Sequence, residues 1–141
     1  STRTKARKRA LDILFEAEVR RLEPIAVLDE RTSDEVTPPV REFTRELVQG
    51  VVEHLTDIDA RITERLVEGW TLARMPRVDR AVARIAVFEI DHTEVPDKVA
   101  IAEAVELVDE FSTDDSPNFV NGLLGRVAAE PRPRSVPERP I

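Results

Sequence analysis

Carboxylates, imidazoles and cations are the groups available for chemistry here, because the 141-residue chain has no cysteine and no tyrosine. Without a thiol there is no disulfide framework and no thiolate metal site. His54 and His92 lie far apart in sequence and show no metal-ligand spacing. The four glycines, at 50, 69, 122 and 125, are scattered and build no phosphate-binding loop. Asp114 and Asp115 mimic a catalytic carboxylate pair, but adjacent loop residues point apart, and helix capping accounts for them better than acid–base work. Glu103, Glu106 and Glu110 recur at i, i+3 and i+7, the pattern of one solvated helix face. The sequence thus predicts no catalytic residue, no metal site and no cofactor. What remains is binding.

The net charge of −7 hides a polar distribution. Residues 1–10 carry Arg3, Lys5, Arg7, Lys8 and Arg9 with no acid, a local +5. Residues 71–84 set Arg74, Arg77, Arg80 and Arg84 against Asp79, whereas residues 85–125 set ten acids against Lys98 alone, a local −9. A basic end and an acidic end suggest two partners of opposite charge, although charged residues also simply solvate helices. A basic arm at a helix start, part frayed and part helical, can neutralise phosphates of a nucleic acid. Phe15 and Phe119 belong to apolar stripes and default to core packing; exposed, either can stack on an unpaired base. Asn121 beside Gly122 is an amide able to read a base edge or to cap a neighbouring segment.

These residues must be positioned by helices, since every periodic stretch is helical and no strand is evident. With 41% hydrophobic residues, one Trp and five Phe, the core has to be built from Leu, Val, Ile and Ala. Seven helices are predicted: about Lys5–Arg21 capped by Thr4, a short one opened by Pro24, about Val40–His54, one restarted by Thr56-Asp57-Ile58-Asp59 and running to about Glu68, about Arg77–His92, about Lys98–Phe111, and Pro117–Ala129 with Ser116 as N-cap. Gly50 inside the third costs roughly 1 kcal/mol against Ala, which predicts a close backbone crossing there. Gly69 is a C-terminal stop, and Trp70 and Leu72 are expected to plug the bundle. The fold class is all-α, a compact bundle of about seven helices forming one domain over residues 1–130. Four prolines among residues 131–141 predict a disordered tail. The N-terminus has no apolar leader and no run approaches 18 apolar residues, so a cytoplasmic protein without a membrane partner is expected.

Asp115-Ser116-Pro117-Asn118-Phe119-Val120-Asn121-Gly122-Leu123-Leu124 resembles the closing motif of the NusB family of bacterial antitermination factors. Ala6–Glu16 looks like its basic first helix, Phe43–Val51 its third helix with the glycine, Val78–Ile90 its central helix and Val95–Leu107 its sixth. The resemblance covers about residues 3–128 and leaves only the loop at 29–38 and the tail unmatched.

The resemblance implies a transcription antitermination factor: an RNA-binding adaptor that pairs with NusE, a small-subunit ribosomal protein, binds the boxA element of nascent ribosomal RNA, joins the elongation complex and suppresses termination. It carries the RNA role to Arg3, Lys5, Arg7 and Lys8, and further to Phe15, Arg80, Phe119 and Asn121. It carries the partner role to Asp79, Glu89, Glu103 and Glu106, with Asp114 and Asp115 bordering both surfaces. Phe15 stands where relatives carry Tyr, and Glu16-Ala17-Glu18 would repel phosphate if it faced RNA. Two alternatives stay open. One is an RNA-recognition domain split from a ribosomal-RNA cytosine methyltransferase, disfavoured by the missing methyl-donor loop and catalytic cysteine. The other is a protein-only helical adaptor. An apolar helix face left open would meet either NusE or a second copy of the chain, giving a homodimer.

Overall fold

The computed structural model describes residues 1–130, and the predicted tail lies outside the described residues. Seven α-helices follow one another: α1 (Thr2–Arg20), α2 (Pro24–Ser33), α3 (Glu42–Glu53), α4 (Leu55–Arg65), α5 (Arg77–His92), α6 (Asp97–Phe111) and α7 (Ser116–Ala129), with one 3-10 turn at Leu72–Arg74. No strand occurs among the described residues.

α5 is central because it is apolar almost all round. Ala81, Val82, Ala83, Ile85, Ala86, Val87, Phe88 and Ile90 are all buried, which is the signature of a helix enclosed by others. It packs against α1, α3, α4, α6 and α7. Leu11, Ile13 and Leu14 of α1, Leu47 and Val48 of α3, Ile58 and Ile62 of α4, and Leu123 and Leu124 of α7 complete one core. A smaller cluster of Ile90, Val95 and Ala100 closes the end of α5 against α6.

Local chemistry departs from the sequence expectation at several helix ends. Ser1, not Thr4, caps α1, its Oγ accepting the Thr4 N–H at 3.1 Å. The whole basic segment is therefore helical from Thr2 and not a frayed arm. α4 starts at Leu55 directly from the bend at His54, so the predicted Thr56–Asp59 box lies inside the helix and makes no cap. It also ends early, at Arg65. Gly69 instead takes φ +92 in a turn closed by Trp70 N–H on Val67 O, a conformation that favours glycine. Trp70 is 39% exposed and does not plug the bundle; it leans on Phe119 at 5.0 Å between ring centroids. Gly50 is a close contact as expected, but with a side chain and not a backbone: a Cβ there would lie 2.1 Å from the Phe88 ring. Arg61, which no sequence pattern singled out, is buried between α4 and α5 with both arms on Asp91 at 2.9 Å.

Candidate nucleic-acid and partner interface

The basic head of α1 divides into two faces. Arg7 falls in phase with Ala6, Ala10, Leu11 and Leu14 on the buried side and is 2% exposed. Its Nε donates to both oxygens of Glu89, at 2.9 and 3.1 Å, and Nη2 donates to Glu89 Oε1 at 2.6 Å. Nη1 reaches Glu103 Oε1 at 3.1 Å, the same oxygen that accepts the Thr4 hydroxyl at 2.7 Å. Burial alone would lower the Arg7 pKa, but hydrogen bonds and charge from Glu89, with Glu103 behind it, hold it above the ordinary value. One knot of charge thus ties α1 to α5 and α6.

Arg3, Lys5 and Lys8 face solvent. The Arg3 guanidinium lies over the Phe43 ring at 4.3 Å from its centroid, and Lys8 Nζ lies over Phe111 at 4.9 Å while pairing with Glu110 at 3.2 Å. Such cation–π contacts steady a cation without neutralising it. Phe15, one turn beyond Asp12 on α1, is 37% exposed.

Three predicted surface residues are corrected by this geometry. Arg7 and Glu89 are buried against each other and so offer almost no surface to a phosphate or a partner. Asp79 is also buried, 2% exposed, where it accepts the Ser112 and Ser116 hydroxyls at 2.5 and 2.9 Å. Asp79 therefore clamps the turn between α6 and α7 to the first turn of α5. This overturns Ser116 as the α7 cap: it is the first residue of the helix, and Asp115 precedes it without a side-chain cap bond. Arg80 is largely withdrawn as well. Its Nη1 donates to Leu72 O and Met75 O at 2.9 and 3.1 Å, and Nη2 pairs with Glu18. Glu16 likewise is held by Arg20 and Arg31, whose hydrogen bonds hold its pKa below the usual carboxylate value. The Glu16-Ala17-Glu18 word is thus compensated from within the chain.

The remaining predicted residues lie along α6, the α6–α7 turn and α7. Asp114, Asp115 and Asn121 are exposed, and Phe119 is half-buried against the core and Trp70. Glu106 is exposed, whereas the Glu103 side chain is 16% exposed and engaged by Thr4 and Arg7. Continuity comes from residues the sequence did not flag: Phe111 under Lys8, then Ser112 on Asp79, lead from the basic turn of α1 to the start of α7. Helical phase gives away Arg7 in retrospect, and a glutamate between Phe88 and Ile90 on an all-round apolar helix demands a buried cation. Ser112 and Thr113 carry no comparable signal. Among the described residues no group of His, Asp and Glu is placed to hold a metal ion, and no helix is long and apolar enough to cross a membrane.

A helical bundle that shows exposed cations at one helix start and exposed carboxylates on an adjoining helix has the surface of a binding module. Its relatives specify which one. The NusB family profile matches residues 4–129. The transcription antitermination protein NusB of Cutibacterium acnes is 56% identical over 127 residues, covering 90% of this chain and 48% of its own length. That of Saccharopolyspora erythraea is 52% identical over 128 residues, covering 89% of this chain and 86% of its own. The chain thus spans about half of the first relative and most of the second. T. maritima NusB superposes with a TM-score of 0.83 at 35% identity over 94% of both chains. A chain in a crystal structure of antitermination factors NusB and NusE in complex with dsRNA superposes at 0.78 and 23% identity, over 90% of this chain and 96% of that one, a likeness of fold. The chain belongs to the NusB family.

Proposed function

We propose that the chain acts in transcription antitermination as an RNA-binding adaptor, holding boxA-type RNA on the outer face of α1 and a NusE-type ribosomal protein on the acidic face of α6, within the elongation complex. The observation that carries the RNA half is the exposed trio Arg3, Lys5 and Lys8, with Lys5 and Lys8 on the outer face of α1 and Arg3 at its rim over Phe43. Three cations stand on one folded helix start, two of them seated over aromatic rings and all facing solvent. Pre-ordered cations lose little freedom on meeting phosphate. Releasing Lys8 from its exposed pair with Glu110 costs about 0–1 kcal/mol, a minor penalty beside the counterion release that accompanies phosphate binding. Phe15 adds a half-exposed ring to α1 for stacking, and Phe119 and Asn121 of α7 supply a further ring and an amide for a base edge.

For the partner half, Glu106, Asp109 and Glu110 are the exposed acids of α6, and Asp114 and Asp115 follow at the turn. They suit a basic ribosomal protein through steering and specificity. Titrating labelled boxA-type RNA against the chain, with and without NusE, tests the whole reading. Binding by the chain alone that tightens with NusE supports it, and no binding in either arm rejects it. Calorimetry of Glu106→Lys/Asp109→Lys against NusE tests the partner face, and unchanged affinity would remove α6 from it.

A further inference from the structure

His54 and His92 are separated by most of α4 and α5 in sequence, yet their rings stack at 3.8 Å between centroids and 14° between planes. Phe88 lies 6.0 and 5.9 Å from them, and its ring covers Gly50. Gly50 and His54 are four residues apart on α3 and its end; Phe88 and His92 are four apart on α5. The two pairs interlock as a small residue under a ring and a ring on a ring. His54 is also the joint of the chain, closing α3 with its N–H on Gly50 O at 3.0 Å and opening α4 with its carbonyl to Ile58 N–H at 2.9 Å. Its side chain makes no cap bond at the start of α4. The stack is therefore what fixes the side chain at this corner.

We propose that this stack is an acid-sensitive latch: with neutral rings it pins the α3–α4 corner to the last turn of α5, and protonation of both rings releases it. Two like charges 3.8 Å apart in a partly desolvated groove repel strongly. His92 Nε2 is buried with no hydrogen-bond partner, so a proton placed there finds no acceptor. Burial, and after it the charge of His54, hold the His92 pKa below its ordinary value. Opposing groups surround the pair. Glu46 and Glu53 of α3 line the same groove, and Asp57 of α4, Asp91 of α5 and Glu53 all favour the protonated His92. Asp91, however, is already held by Arg61. The C-terminal end of α5 also favours a cation at His92. Burial and the second imidazole outweigh these.

The sign follows from linkage. A histidine with a depressed folded pKa leaves the unfolded chain binding the proton more tightly, so the stability it confers is full above the ordinary histidine value and falls as pH drops below it. The released corner belongs to α3, which holds α1 through the Thr44 hydroxyl on Ala6 O at 2.9 Å and through Phe43 under Arg3.

NMR titration of the imidazole C–H signals in the full chain, with amide exchange along Gly50–Leu55 at each pH, tests the latch. The expected result is a His92 midpoint that moves up in His54→Gln, and amide protection at the corner, corrected for intrinsic rate, that falls severalfold on acidification in the parent but not in that variant. A His92 midpoint unmoved by His54→Gln overturns the coupling. Corner protection insensitive to pH in the parent overturns the release, and should His54→Gln unfold, His92→Gln is read for the same loss of pH dependence.

Discussion

Arg7 and Lys8 are sequence neighbours with the same charge and opposite fates. Arg7 lies 2% exposed with its guanidinium divided between Glu89 and Glu103, while the Lys8 side chain keeps 47% of its surface in water and meets the exposed Glu110 and the Phe111 ring. The difference is one step of helical phase, about 100° around the axis. A run of five cations therefore contains both a structural bolt and exposed cations free for the proposed RNA contact, and net charge over the segment says nothing about which is which. Buried ion pairs and exposed ones also differ in kind. Breaking the first strands a charge in a dry interior, while breaking the second returns it to solvent.

The largest effect expected from this contrast is on stability. Arg7→Ala should cost about 3–5 kcal/mol in urea unfolding, because Glu89 is left buried without its cation. The paired change Arg7→Met/Glu89→Leu should recover much of that loss, since the fully buried carboxylate goes with its cation and Glu103 keeps the Thr4 hydroxyl and some access to water. A single variant as stable as the parent would mean that the knot is not buried in solution. Next comes Gly50→Leu, a buried site without charge: overpacking against Phe88 should lower stability by roughly 1–3 kcal/mol despite better helix propensity. An unchanged melting temperature there would show that the Phe88 ring swings away freely. Smallest of the three is Lys8→Ala, expected to change stability by at most about 1 kcal/mol. A cost near that of Arg7→Ala would erase the distinction between the two faces.

Much of the fold is legible from periodicity. α5 is read at its true bounds, Arg77–His92, because Pro76 and the loop after His92 frame an uninterrupted apolar pattern. Helix ends set by side-chain chemistry are harder: Ser1 rather than Thr4 caps α1, because Thr4 is drawn away to Glu103. The site is legible in outline and not in detail. Family words locate α1 and the α6–α7 turn, but Asp79, Arg7 and Glu89 look like surface charges in sequence although each has a buried partner from another helix. Such partners are separated by 82 residues in the case of Arg7 and Glu89, a distance that no local pattern spans. The His54–His92 stack is hidden for the same reason.

The central claim is that the exposed lysines of α1, and not the buried arginine, meet RNA. It is tested most directly by the salt dependence of boxA-type RNA binding in Lys5→Gln/Lys8→Gln beside the parent chain. Each lost phosphate contact on single-stranded RNA should make the slope of log affinity against log salt shallower by about 0.7, so the double variant should lose roughly 1.4. A slope identical to that of the parent would contradict the account and place the RNA elsewhere on the molecule.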